Sequence, residues 1–269
     1  MNTINNSSNR DSRVIAIASG KGGTGKTSIA VNLSLALAAS GKKTTVVDGD
    51  VTMASTGIML GLKRSPITIH NVLMGECTVA EATYDIARGL KVVPAGLSLE
   101  RIKRLDFDKF KTAITELKQS NDFVIIDCAP GLEKDAMAAL TSAEEVILVL
   151  NPEPTSLADA LKVKALAERN GVKLSGVITN MRMGEKTEIR NEELEKLLGC
   201  RVVASIPFDP HAKKASTSQT PAFTKFPKSD FTAGITQAMT FLITGKVTGK
   251  AKKGIVRKIF ESISTMFKK

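Results

Sequence analysis

The sequence predicts an α/β protein: a doubly wound, mostly parallel sheet with helices on both faces, followed by a short amphipathic C-terminal helix. Three observations predict it. From Arg13 onward, short β-branched runs alternate with segments of helical period. Several of those runs are apolar almost throughout, as strands covered on both faces are. Finally, the glycine-rich stretch SGKGGTGKTS, residues 19–28, joins the first run directly to the first helical segment. At 269 residues and 42% hydrophobic, the chain is long enough to bury a substantial core.

The elements follow in order. Residues 1–12, MNTINNSSNRDS, have neither a basic n-region nor an apolar h-region and are expected to form a flexible tail rather than an export signal. Strands are expected at VIAIAS (14–19), KTTVVD (43–48), LKVVPA (90–95), DFVIID (122–127), EVILVL (145–150), KLSGVITN (173–180) and CRVVASI (200–206). Helices are expected over 26–40, about 106–120, about 133–142, 155–170, 188–198 and about 229–243. One domain therefore spans 13–243. Residues 244–253, TGKVTGKAKK, carry glycines and lysines with little to bury and read as a basic flexible linker. No apolar run approaches the roughly 20 residues that span a bilayer.

Composition excludes several chemistries. Cys77, Cys128 and Cys200 are isolated, with no CxxC, which argues against a zinc or iron–sulfur site within one chain and suits a reducing, cytoplasmic setting. Trp is absent and there is one Tyr, so platforms for stacking nucleic-acid bases are scarce and specific nucleic-acid binding is not expected. The net charge is +11, and more than half of the surplus lies in residues 250–269, where seven Lys and Arg face Glu261 alone.

The stretch GKGGTGKT fits the pattern G-x-x-x-x-G-K-[ST] in full. Gly20, Gly22, Gly23 and Gly25 let the backbone curl around phosphate oxygens, with N–H groups pointing inward and a helix N-terminus behind them. Thr24 and Ser28 complete the cradle. Lys26 is expected to reach the β- and γ-phosphates, and Thr27 to place its hydroxyl on Mg²⁺. Asp127 closes the strand FVIID, where a carboxylate can hold Mg²⁺ through a coordinated water. Asp48 and Asp50 emerge at the same sheet edge, positioned to orient a water or the metal; the lesser alternative for Asp48 is a strand-ending turn residue.

Together these motifs resemble the MinD/ParA group of P-loop ATPases. GKGGTGKT resembles its deviant Walker A loop, whose hallmark is the early lysine, here Lys21. DGDVTMAS resembles its switch I, and IIDCAPGLEKDAMAAL its Walker B and switch II, with Cys128 and Met53 as departures. VILVLNPEPTSLADALKV resembles the segment that follows, so the likeness runs from about Arg13 to Phe241. The resemblance implies a homodimer that sandwiches two ATP molecules, with Lys21 reaching the partner's nucleotide. It also implies that Asp50 positions the attacking water and joins Thr27 and Asp127 around Mg²⁺. Backbone around Ala129–Gly131 would sense the γ-phosphate, and Asn180 with Pro207–Asp209 would lie against adenine.

Residues 254–269, GIVRKIFESISTMFKK, divide cleanly on a helical projection. Ile255, Val256, Ile259, Phe260, Ile263, Met266 and Phe267 fall within an arc of about 140°, and every charged or hydroxyl residue falls outside it. Such a helix can pack on its own domain, occupy a partner's groove, or lie in the plane of a membrane with lysines on anionic headgroups. The linker and the flanking lysines favour the membrane. The resemblance agrees, since the MinD branch ends in a membrane-targeting helix.

The function expected is a peripheral membrane ATPase that positions cellular machinery, at the division site or at polar and motility structures, with slow hydrolysis stimulated by a protein activator or cargo adaptor. It would cycle between cytoplasm and the inner face of the cell membrane. The alternative is a ParA-like partition ATPase that binds DNA non-specifically through a basic dimer surface. Metal-cluster scaffolding is disfavoured by the cysteine spacing, and a nucleotide-gated adaptor with little hydrolysis is a further class.

Overall fold

The computed structural model describes residues 12–96 and 102–248. The N-terminal tail up to Asp11, the linker beyond Thr248 and the amphipathic segment 254–269, with its seven apolar residues, lie outside the described residues. Eight strands form one sheet in the order β3-β4-β2-β5-β1-β6-β7-β8. They are β1 (Arg13–Ala18), β2 (Thr44–Gly49), β3 (Tyr84–Ala87), β4 (Leu90–Val93), β5 (Phe123–Cys128), β6 (Glu145–Leu150), β7 (Lys173–Arg182) and β8 (Val202–Pro207). Every neighbouring pair is parallel except β3 with β4.

The described helices are α1 (Lys26–Ala39), α2 (Thr56–Met59), α3 (Ile69–Met74), α4 (Asp108–Lys118), α5 (Lys134–Thr141), α6 (Pro154–Arg169), α7 (Asn191–Leu198), α8 (Pro210–Thr217), α9 (Ala222–Lys225) and α10 (Asp230–Thr244). Alternate side chains of the central strands point to opposite faces, so each face needs its own apolar cover. One core joins Val14, Ala16, Val124 and Ile126 to Phe110, Ile114 and Leu157 of α4 and α6. The other joins Ile15, Ile17 and Ile125 to Leu33, Phe223, Phe231 and Met239 of α1, α9 and α10. The doubly wound expectation therefore holds.

Helix α1 is buried on nearly every side, from Ile29 to Ala39. It lies between the sheet and α10, which explains why its sequence is apolar all round rather than striped. Truncating Leu33, which has no exposed surface, would cost about 2–5 kcal/mol by the usual cavity penalty.

Five elements escaped the sequence reading: β3, α2, α3, α8 and α9. Strand β3 is an edge strand with no fully buried residue, so it lacks the apolar run that marks the others. Helices α2 and α9 have four residues each, too few for a period to register. Helix α8 has a single buried residue, Ala215, and so presents no apolar stripe.

Candidate nucleotide site

The chain reverses its direction of travel across the sheet at β1, and this is where an open parallel sheet leaves a crevice beyond its C-terminal strand ends. Three loops meet there: Ser19–Gly25 after β1, Asp50–Ser55 after β2 and Ala129–Glu133 after β5. The first is shaped by its glycines. Gly23 and Gly25 have φ of 80° and 90°, the left-handed region that favours glycine. A Cβ on Gly25 would sit 2.4 Å from Asn180 Nδ2, and one on Gly20 would sit 2.3 Å from Asp159 Cβ on α6. Gly25 is also the N-cap of α1, so the first N–H groups of that helix open into the loop without a side-chain cap. This is an anion cradle.

Charge is arranged around it asymmetrically. Lys26 is buried in the first turn of α1, whereas Lys21 is partly exposed and reaches sideways to Glu153, with Nζ 3.0 Å from Oε2. Ser19 fixes the loop's entry by donating its hydroxyl to the Lys21 carbonyl at 2.7 Å. The Gly131 N–H donates to the Ser19 carbonyl at 3.2 Å, tying the loop after β5 to the glycine loop.

Asp48 and Asp127 face each other across β2 and β5, in register and fully buried. One Asp48 oxygen accepts the N–H groups of Ser55 and Thr56, both at 3.1 Å. One Asp127 oxygen accepts the Thr56 hydroxyl at 3.1 Å. The other oxygen of each carboxylate has no partner. Burial first, and then the Asp127 charge, push Asp48 up to about 8. Burial likewise raises Asp127, to about 6, against the Thr27 hydroxyl, the Lys26 ammonium and the Thr56 hydroxyl, which pull it down. Cys128 is held protonated by burial and by Asp127, so its thiol is not a nucleophile here.

Two buried carboxylates with orphaned oxygens stand beside a threonine hydroxyl and an anion cradle, a donor set suited to a cation. Among the described residues no three His, Cys, Asp or Glu side chains group closely enough to hold a metal by themselves. The donor set fits Mg²⁺, which keeps several waters and takes few protein oxygens when phosphates supply the rest.

The structure brings Thr27 and Asp127 together but leaves Asp50 outside the pair. Its Oδ1 accepts the Met53 N–H at 2.8 Å and so caps its own turn. Two residues absent from the sequence reading belong to this centre. Thr56 bridges both aspartates, and Ser55 places its hydroxyl 3.4 Å from that of Thr27. The run of hydroxyls in TMAST after two acids was the available signal.

Behind the glycine loop lies a pocket of about 220 Å³, lined by Gly25, Asn180, Met181, Pro207, Phe208 and Lys213 among others. Its mainly apolar walls suit a flat base. Asn180, Pro207 and Asp209 all line this pocket, and two of these side chains have other work. The Asn180 amide donates to the Thr24 carbonyl at 2.8 Å, bracing the loop. The Asp209 carboxylate caps α8 through the His211 N–H at 2.8 Å and accepts the Phe231 N–H at 3.0 Å. Phe208 belongs to the expected Pro207–Asp209 segment, whereas Met181, with φ of 58°, and Lys213 were not anticipated.

Known proteins resemble this chain in sequence and fold. Residues 12–169 match the family model described as an AAA domain. An uncharacterised ATP-binding protein of Methanocaldococcus jannaschii is 39% identical over 89% of this chain and 90% of its own length. The septum site-determining protein MinD of Synechocystis is 31% identical over 73% of this chain and 76% of its own. Among solved structures, the cell division ATPase MinD of Pyrococcus furiosus superposes with a TM-score of 0.84 at 35% identity, covering 87% of this chain and 99% of that one. With the two-lysine loop, the buried aspartates and the sheet order all in place, the chain belongs to the MinD/ParA family of deviant Walker A P-loop ATPases.

Proposed function

We propose that the protein is an ATP-driven dimeric switch of the MinD type, which binds an anionic membrane as a dimer and positions cellular machinery there. The relatives named for septum-site determination and cell division point to the division site. Another relative, 30% identical over 81% of this chain, is the antiactivator FleN of Pseudomonas aeruginosa.

The observation that carries the reading is the placement of the two lysines. Lys26 is buried at the floor of the cradle, while Lys21 stands at its rim, held by an exposed glutamate. A cation so placed is free to swing to phosphates brought by a second copy. There it offsets the repulsion between two nucleotides packed face to face, an attraction strengthened as water leaves the interface.

Within each subunit, Gly20, Gly22, Gly23, Thr24, Gly25 and Ser28 would cradle the phosphates with Lys26. Thr27 and Asp127 would hold Mg²⁺, which neutralises charge on the phosphates. Asp50, once released from the Met53 N–H, would orient the attacking water. Gly131 would exchange its bond to Ser19 for one to the γ-phosphate. Asn180, Pro207 and Asp209 would frame the base.

The domain of residues 13–243 would perform this cycle, and residues 244–253 would tether the helix of residues 254–269. Two such helices on one dimer make the second insertion intramolecular, raising avidity by up to ~10²–10⁴. Hydrolysis would then release both dimer and membrane.

Co-sedimentation of the full chain with vesicles rich in phosphatidylglycerol tests this reading. Binding is expected with Mg²⁺ and a non-hydrolysable ATP analogue, and should be weak with ADP. Phe260→Glu should abolish it. Equal binding with both nucleotides would contradict the switch.

A further inference from the structure

We infer that the end of the molecule formed by the N-terminal edges of the parallel strands is a second membrane contact, a cationic face for the phosphates of anionic lipid headgroups. This rests on the membrane reading above and extends it from the tail to the folded domain. Helix α10 runs back from β8 and ends beside the first residue of β1, where the Arg13 guanidinium donates to the Leu242 carbonyl. The chain therefore leaves the described fold, through Lys246, at that end.

Two other basic segments are anchored at the same end. The turn between α1 and β2 carries Lys42 and Lys43. The turn between β3 and β4 carries Arg88 and lies against it, since the Thr44 N–H donates to the Gly89 carbonyl at 2.9 Å. A Cβ on Gly89 would sit 3.5 Å from the Lys42 carbonyl. Arg88, Lys43 and Lys246 are exposed and Lys42 is half-buried.

Two of the acids at this end are paired with cations, while Asp122 and the exposed Glu116 of α4 keep their charges. Glu145 pairs with Arg13, with Nε 2.7 Å from Oε1. Glu144 pairs with Lys118. Asp122 accepts the Lys43 backbone N–H at 2.8 Å. Among the described residues, no carboxylate pairs with Lys42, Lys43, Arg88 or Lys246. The surplus charge of this end is thus available to an outside anion. A tail inserted in lipid from Thr248 onward would hold this face nearest the bilayer, within the reach of an anionic surface potential.

The test uses the full chain with Mg²⁺ and a non-hydrolysable ATP analogue, and the triple reversal Lys42→Glu, Arg88→Glu, Lys246→Glu. Vesicles are of phosphatidylcholine alone or with phosphatidylglycerol. Lys186→Glu, on the loop after β7 at the opposite end, serves as the charge control. Thermal melting establishes that each variant is folded.

The triple variant should bind phosphatidylglycerol vesicles about tenfold more weakly than wild type, with little change on neutral vesicles and little effect of Lys186→Glu. Equal affinity of wild type and triple variant would overturn the inference, as would an equal loss with Lys186→Glu. If reversal instead abolishes retention of random duplex DNA and spares vesicle binding, the face is a nucleic-acid surface and the inference is wrong. Failure of the wild type to bind any vesicle would remove the membrane reading itself, and this inference with it.

Discussion

Asp48 and Asp127 sit opposite one another on adjacent strands, each fully buried and each with one carboxylate oxygen lacking a partner. In the protein without nucleotide or metal, burial opposes the charging of both carboxylates, and the Asp127 charge adds to it at Asp48. Both are raised above the ordinary carboxylate value, so the folded state holds protons that the unfolded state has lost. Unfolding free energy should therefore fall as pH rises from about 5 to about 8. Asp48→Asn, which keeps an acceptor for the Ser55 and Thr56 N–H groups, should flatten that dependence. Urea titrations at a series of pH values, in chelator and without nucleotide, would show it.

The glycine loop makes a sharper steric prediction. Gly25→Ala forces a Cβ onto the Asn180 amide and requires an unfavourable left-handed φ. It should cost about 1–3 kcal/mol of stability and weaken ATP binding at least tenfold. Calorimetric titration together with thermal melting would measure both effects.

Asn180 carries two candidate roles that one variant separates. Its amide braces the Thr24 carbonyl, a bond worth about 1 kcal/mol by the usual net value. Asn180→Asp would turn that contact into a repulsion between two oxygens. If bracing dominates, Asn180→Asp should lower affinity for ATP and for inorganic triphosphate alike. A loss confined to ATP would make the base contact the main one.

Glu153 restrains Lys21, the lysine on which the proposed dimerisation depends. Both groups are substantially exposed, at 35% and 57%, so Glu153→Gln should change stability by less than about 1 kcal/mol. Freed of its partner, Lys21 should support dimerisation at a nucleotide concentration up to about fivefold lower. Light scattering across a titration with a non-hydrolysable ATP analogue would detect the shift.

The central strands and the glycine loop were legible because their signals are local and redundant. A run such as VIAIA cannot be half-exposed, and GKGGTGKT constrains backbone and charge together. Where burial depended on distant residues, the sequence was less informative. Asp48 ends a strand as turn residues do, and its isolation from solvent arises only when β5 brings Asp127 alongside. Asp209 lines the pocket behind the glycine loop yet serves α8 and α10, because Pro210 starts a helix that has no apolar stripe to announce it. Thr56 carried only the weak signal of a hydroxyl run for a similar reason: its N–H and hydroxyl matter through two carboxylates 8 and 71 residues away in sequence.

The proposed exchange of Lys21 between Glu153 and a second subunit's nucleotide is tested most directly by sedimentation velocity with Mg²⁺ and a non-hydrolysable ATP analogue. Wild type should sediment as a dimer, and Lys21→Ala as a monomer that still binds the analogue. A wild type that stays monomeric, or a Lys21→Ala variant that dimerises as readily, would contradict it.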